Sequence, residues 1–176
     1  MKKIKELNNF TKLALGLGLF LLIYGFICRI IPINFFWESK SIGWGLIFLG
    51  LIGLLVSGIE KRKANNKNTI WNKVGIGFIC FILLIQTILI IIIPNTDAYK
   101  VSKEYIINNE ELKSEVGNIK GFGLIPTGGI SVQSDSNGET GNANINLVIK
   151  GDKAFKCVTV FVFKDYGKDW EVYEIE

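Results

Sequence analysis

The chain has 176 residues, of which 49% are hydrophobic, and its formal net charge is +4 at neutral pH. That charge averages two unlike parts, because residues 1–93 carry +8 and residues 94–176 carry −4, so the basic balance does not indicate nucleic-acid binding. The absence of histidine removes the side chain most used for acid–base catalysis near neutral pH and for haem and copper ligation, which argues against an enzyme.

Three apolar runs occupy the first half of the chain. The first is long enough to cross a bilayer, and its single charge, Arg29, lies at the far end, where a long side chain reaches the interface. The second and third contain no charged residue, and Pro94 closes the third. We predict a transmembrane region over residues 13–93, preceded by a cytosolic tail at residues 1–12. Its three transmembrane helices cover residues 13–31, 42–59 and 74–93.

A basic N-terminus followed by an apolar run is also the pattern of a secretory signal peptide. The first run, however, lacks a small-x-small cleavage site, and the residues before Cys28 do not resemble a lipoprotein processing site. Two further spans follow it. We therefore prefer a first membrane helix that is retained over a cleaved signal.

The placement of lysine and arginine predicts the orientation in the membrane. Residues 1–12 contain four lysines and residues 60–73 contain five basic residues, whereas residues 32–41 contain only Lys40. Basic segments stay in the cytosol, so the N-terminus is predicted to be cytosolic and everything after Pro94 extracytoplasmic. Trp44 near the outer interface and Trp71 near the inner one agree with this orientation. We expect a multi-pass protein of the plasma membrane.

Small residues recur at heptad spacing in two of the predicted helices. The second helix has Gly43, Gly50 and Ser57, and the first has Gly18 and Gly25. Such stripes let helix backbones approach closely. They predict close packing within a three-helix bundle, and the alternative is a surface for a helix of another protein.

Residues 97–176 have the pattern of a small α+β domain. Residues 97–116 predict two short helices, with Asn108 or Asn109 as the second N-cap and Gly117 as its terminator. From residue 121 onward the apolar period becomes two. Residues 143–150 alternate strictly, residues 154–164 are apolar on both faces, and residues 170–175 predict a last strand. We predict an antiparallel meander of about four strands packed against the helices. The strand at residues 154–164 is predicted to be covered on both sides.

Candidate sites in this half are weak. The glycines within residues 121–129 lack the strand, helix and Lys-Ser context of a phosphate loop, so turn glycines are the preferred interpretation, and whether the segment 121–133 binds a ligand stays open. Asp135, Asn137 and Glu139 alternate as calcium ligands do but fail the EF-hand spacing. Cys157 is predicted to be a buried free thiol. We predict no catalytic, cofactor-binding or metal-binding residues and no cofactor.

Residues 102–176 carry a family resemblance. It rests on a helix ending at residues 115–117, on Asn-Ile-Asn-Leu-Val-Ile-Lys-Gly at 144–151, on Val-Thr-Val-Phe-Val at 158–162 and on Gly-Lys-Asp-Trp-Glu-Val at 167–172. This stretch resembles the cytochrome c oxidase assembly factor family, whose plan is shared with the intermembrane-space domain of a mitochondrial inner-membrane translocase subunit. The resemblance implies a small α+β domain that docks on membrane complexes and has no catalytic residues. The three spans of this chain depart from the single span that is usual in the family.

Two functions follow as expectations. The first is a non-catalytic, membrane-anchored assembly or scaffolding factor, with a respiratory complex as the candidate partner suggested by the resemblance. The alternative is a ligand-sensing or transport-accessory membrane protein, favoured by the glycine-rich segment. Expected partners are the lipid bilayer and another integral membrane protein or complex, and no nucleic acid.

The predicted orientation can be tested by labelling single cysteines in intact cells. In a background without the native cysteines, we expect a membrane-impermeant maleimide to label cysteine placed at Asn118 and to spare cysteine placed at Asn66. Lysed cells provide the control, because both positions then become accessible. Labelling at Asn66 with protection at Asn118 would reverse the orientation.

Overall fold

The computed structural model describes residues 7–31, 33, 35–136 and 138–176. Three long helices come first, followed by a 3-10 turn at Ile93–Asn95, two short helices and five strands. Three of the four lysines of the predicted tail and Asn137 of the alternating polar motif lie outside the described residues. The elements are α1 Asn9–Ile30, α2 Ser39–Ala64, α3 Ile70–Ile92, α4 Asp97–Asn108, α5 Glu110–Val116, β1 Ile119–Phe122, β2 Thr127–Asp135, β3 Gly138–Gly151, β4 Phe155–Lys164 and β5 Trp170–Ile175.

Helices α1, α2 and α3 are each long and apolar enough to cross a membrane, as the apolar runs predict. Each helix begins a few residues before the apolar run from which it was predicted. The Asn8 side chain caps α1 by accepting from the backbone N–H of Phe10, and α2 continues through its basic end to Ala64. Hydropathy marks only the part of a helix suited to lipid, so capping and interfacial turns extend beyond it.

The helices α1 and α2 pack together through their glycines. A Cβ built on Gly43 would lie 2.8 Å from the backbone nitrogen of Leu22 and 2.9 Å from the carbonyl oxygen of Gly18. A Cβ on Gly25 would lie 2.5 Å from the backbone nitrogen of Lys40. Real Cβ atoms do not approach backbone so closely, so the two helices meet backbone to backbone. The predicted close packing of the small-residue stripes is therefore confirmed for this pair.

Residues from Thr87 onward form a second compact unit. The buried residues of its core come from the chain just before α4, from α4 and α5, and from the inward faces of β3 and β4. Ile93 is 5% exposed within this core, and Leu89, in the last turn of α3, packs against it. The buried members are Ile93, Ala98, Tyr99, Ile106, Leu112, Val116, Ala143, Ile145, Leu147, Ile149, Val158, Val160 and Val162. The domain thus includes the end of α3 in its core.

Side-chain caps determine where the short helices begin and end. The hydroxyl of Thr96 accepts from the backbone N–H of Tyr99 at the start of α4. Asn109 accepts from the backbone N–H of Leu112 at 2.9 Å, which makes Asn109, of the two candidates, the N-cap of α5. Gly117 ends α5 with a φ of +79°, a conformation that glycine adopts without steric cost. Both predicted helices and the predicted terminator are confirmed.

The sheet is antiparallel and has five strands within the described residues, in the order β1-β3-β4-β5, with β2 also paired to β3. The long β3 pairs with β2 along its first part and with β1 at its end. Strands β2 to β5 form the expected meander, and β1 is a strand beyond the predicted number of about four. The alternation of apolar and polar residues did not reveal β1, because this strand has only four residues and one of them is glycine.

The helices cover one face of this sheet. On β4, Val158, Val160 and Val162 are buried, whereas Phe161 is only partly covered and Cys157 is exposed. The prediction that this strand is covered on both sides is wrong, and so is the prediction of a buried Cys157. Both failed for one reason: aromatic and sulfur side chains on β4 indicated a second apolar layer, but α4 and α5 both pack on the valine side.

Replacing Gly43 by alanine should separate α1 from α2, because the added methyl meets the backbone of α1. We expect Gly43→Ala to lower the free energy of unfolding by about 1–3 kcal/mol. Gly45→Ala is the matched control, since a Cβ there has nothing within 4 Å. Denaturant titration in micelles, followed by tryptophan fluorescence, measures both variants. Equal stabilities of the two variants would contradict the close approach.

Candidate functional site: the open face of the sheet

The face of the sheet opposite α4 and α5 is exposed, and we call it the open face. It carries alternate residues of β2 to β5, because successive side chains of a strand point to opposite sides. Its central residues are Gly129 and Ser131 of β2, Asn142, Asn144 and Asn146 of β3, Cys157, Thr159, Phe161 and Phe163 of β4, and Tyr173 of β5.

Three aromatic rings lie together on the open face. The Tyr173 ring centroid is 6.0 Å from that of Phe161 and 5.9 Å from that of Phe163, and Tyr173 is 57% exposed. A register shift of β5 against β4 at Phe161/Val162 interrupts the alternation. Trp170 and Val172 alternate onto the core, which places Tyr173 on the open face, and the bulge then returns Ile175 to the core.

Three asparagines line the neighbouring strand β3 on the same face. Asn144 is directly opposite Phe161, and Asn142 is opposite Phe163. The Asn144 side-chain oxygen accepts from the backbone N–H of Gly129 at 2.7 Å, and that of Asn146 accepts from the Thr159 hydroxyl at 2.7 Å. These bonds fix the planes of the two amide groups. Amides and aromatic rings therefore lie side by side in register.

A shallow depression of about 450 Å³ lies between these groups. Its lining includes Gly129, Ser131, Asn142, Phe161 and Tyr173, and every lining residue is uncharged. Gly129 contributes backbone alone, and a Cβ there would lie 3.1 Å from the side-chain oxygen of Asn144. The depression can thus take a neutral ligand that lies flat against the sheet.

The alternating polar motif of the sequence is used for structure at the β2–β3 hairpin. The Tyr166 hydroxyl donates to Asp135 at 2.7 Å, and this hydrogen bond, with some burial, raises the pKa of Tyr166. Glu139 pairs with Lys164 at 2.8 Å, which raises the pKa of Lys164. Among the described residues, no group of three or more histidine, cysteine, aspartate or glutamate side chains could hold a metal ion.

The glycine-rich segment consists largely of strands. Gly121 belongs to β1, and Gly128 and Gly129 belong to β2, so the interpretation of these three as turn glycines is wrong. Gly128 has a φ of +143°, and a Cβ there would collide with the carbonyl oxygen of Asn144. The close pairing of β2 with β3 explains why this position requires glycine. No helix follows either glycine group within the described chain, so the geometry of a phosphate loop is not formed.

Sequence reasoning noted the alternation of β3 but did not identify its asparagines as a site. The available signal was their type, because asparagine is depleted in strands, whereas threonine or valine would serve the fold better. Tyr173 carried a signal as well, because alternation from Trp170 places it on the face opposite Trp170 and Val172. Alternation gives no indication of the bulge, which determines that Ile175 rather than Glu174 packs against the core.

Comparison of the chain with protein-family models, with curated proteins and with solved structures gives no match. The resemblance to the cytochrome c oxidase assembly factor family therefore stays a prediction.

The exposure of Cys157 predicts a reactive thiol on the open face. In the Cys28→Ala, Cys80→Ala background, we expect a water-soluble maleimide to modify the folded protein rapidly, because the reagent can reach an exposed thiol without unfolding. The Cys157→Ser variant of the same background is the control. Modification that requires denaturant would show that another surface covers the open face.

Proposed function

We propose that the protein is a non-catalytic, membrane-anchored assembly or scaffolding factor whose C-terminal domain binds another integral membrane protein. The observation that carries this proposal is the burial of Ile93 in the core of the domain, with Leu89 of the last turn of α3 packed against that core. A single 3-10 turn, Ile93–Asn95, connects α3 to α4. With α3 in the bilayer, the domain is held at the membrane surface, where membrane-resident partners meet it at high effective concentration.

In this proposal the domain lies outside the cytosol, and the protein resides in the plasma membrane. The support is the basic end of α2, with Lys61, Arg62 and Lys63 in its last turn, followed by Lys67 before α3. Basic residues so close to the ends of two spans favour the cytosolic side. The N-terminus then shares that side, and the domain after α3 lies on the other.

The edge of β2 is the contact surface that we assign to the partner. Strand β2 has nine residues, pairs with β3 without a register shift and carries no charge before Asp135. The opposite edge, β5, is shorter, contains a bulge and carries Glu171 and Glu174. Charges and bulges protect an edge against added strands, and β2 has no bulge and no charge before its last residue. A partner segment in extended conformation can therefore pair with β2.

A respiratory complex under assembly is the candidate partner, and its support is the family resemblance of residues 102–176 alone. The proposal of an assembly factor does not require that identity, because the tether and the unprotected strand suit any membrane-resident partner with an extended segment outside the bilayer.

A ligand-sensing or transport-accessory role is the second candidate function. The observation in its favour is the depression on the open face, which is lined by polar and aromatic side chains. In that role, a bound small molecule would change how the domain contacts a transporter or receptor in the membrane.

Photo-crosslinking in native membranes tests the proposed function. With the crosslinker at Ser134, on the edge strand, we expect one integral membrane protein to be captured and identified by mass spectrometry. Val132→Lys adds a charge to the edge and should lower the cross-linked yield roughly tenfold. Glu171→Lys on the opposite edge is the matched control and should leave the yield unchanged.

A second test of the proposed function uses a chain that lacks residues 97–176. We expect it to insert in the membrane and to recover no partner by affinity purification through an N-terminal tag. Recovery of the same partner by this truncated chain would place the binding in helices α1 to α3 and contradict the assignment to the domain.

A further inference from the structure

The open face combines aromatic rings with carboxamides on one exposed strip of sheet. The Tyr173 ring, 57% exposed, lies 6.0 Å from the Phe161 ring with the two planes inclined by 48°, which gives an apolar platform with two inclined faces. Asn144 is opposite Phe161 in the next strand, and Asn142 is opposite Phe163. The platform and the amides border the same depression.

Asn144 and Asn146 also serve the fold through their hydrogen bonds to Gly129 and Thr159, whereas the exposed Asn142 and Tyr173 contribute nothing to its core. Asparagine is unfavourable in the interior of a strand, and β3 carries three of them at alternate positions, Asn142, Asn144 and Asn146. An exposed aromatic ring such as Tyr173 leaves apolar area in water at a cost in free energy. Side chains that break local rules without a gain in stability are the expected mark of a functional surface.

The charges around the depression restrict the ligand. Its lining is uncharged, and Glu171 and Glu174 are the acidic residues of β5 nearby, so an anion such as a phosphate or a nucleic acid gains no partner there. The complementary ligand is neutral, with apolar C–H faces and hydroxyl groups at its edges. The electron-rich face of an aromatic ring attracts C–H groups, and a carboxamide both donates to and accepts from hydroxyls.

We propose that the open face binds an uncharged oligosaccharide, with sugar rings stacked on Tyr173 and Phe161 and with hydroxyls hydrogen-bonded to Asn142 and Asn144. A chain of β-1,4-linked hexopyranoses is the class that fits, because it is a flat, extended ribbon and the depression is shallow and open. The volume of about 450 Å³ lies within the usual range of small-molecule sites, roughly 300–1,000 Å³. This site goes beyond the proposed function, which uses the edge of β2.

Calorimetric titration of the full-length protein tests this inference. The protein is held in nanodiscs of phosphatidylcholine, so that no sugar-based detergent competes. The probes are the β-1,4-linked tetramers of glucose and of N-acetylglucosamine at millimolar concentration. We expect saturable binding of at least one tetramer, weakened roughly tenfold by Tyr173→Ala and roughly fivefold by Asn142→Ala. Tyr173→Phe keeps the ring and should keep the binding.

Tyr105→Ala is the matched control, because Tyr105 is a 40% exposed tyrosine on α4, on the other side of the sheet. It should bind as the unmodified protein does. Circular dichroism confirms that each variant is folded. The absence of saturable binding of both tetramers, or equal affinities in Tyr173→Ala and Tyr105→Ala, would overturn the inference.

The failure of this inference and the failure of the proposed function give different results. If neither tetramer binds while cross-linking from Ser134 still captures a partner, the sugar site alone is overturned. If neither tetramer binds and Tyr173→Ala also abolishes the capture, the open face is a protein-binding surface. Sugar binding without any captured partner would support the site and contradict the scaffolding role.

Discussion

The C-terminal domain depends on one layer of apolar packing between two short helices and one face of a five-stranded sheet. Ile106 of α4 and Val116 of α5 are buried with Ile145, Ile149 and Val160 of the sheet. Because the helices cover one face only, the side chains of the other face are not constrained by burial. That freedom explains how β3 and β4 place aliphatic residues inward and carry amides and aromatic rings outward.

The same layer includes the end of the third apolar helix. Ile93 is 5% exposed in the core, and full burial of a side chain of this size stabilises by about 1.5–3 kcal/mol. The last turn of α3 therefore contributes to the stability of the domain. The 3-10 turn at Ile93–Asn95 and the Thr96 cap lead directly from this turn into α4.

The helices α1 and α2 illustrate a different kind of packing. In lipid there is little hydrophobic drive between helices, so close approach of the backbones supplies the attraction. This close approach occurs at Gly18, Gly25 and Gly43, where any Cβ would meet backbone atoms of the facing helix. Helix α3, in contrast, has Ile79 as its buried residue and presents apolar side chains around most of its surface. Lipid contact suits that surface.

Much of the architecture could be predicted from the sequence, because local rules determine it. Long apolar runs identify the three candidate spans, since a helix satisfies its own backbone hydrogen bonds wherever it lies. The caps at Asn109 and Gly117 are equally local, and so are the bounds of β5, Trp170–Ile175. The pairing of successive strands from β2 through β5 follows from the alternation of apolar and polar residues and from the turns between the strands.

Only the tertiary structure decided which surfaces are covered. Alternation shows that the two faces of a strand differ, but the choice of the face on which the helices pack depends on contacts between residues far apart in the sequence. On β4 both faces are apolar, so the sequence left Cys157 and Phe161 indistinguishable from core residues until α4 and α5 were placed. On β5, Ile175 rather than Glu174 reaches the core because of a bulge formed only in register with β4. The candidate site therefore could not be read from the sequence, because the pairing of distant strands and a one-sided helical layer bring its parts together.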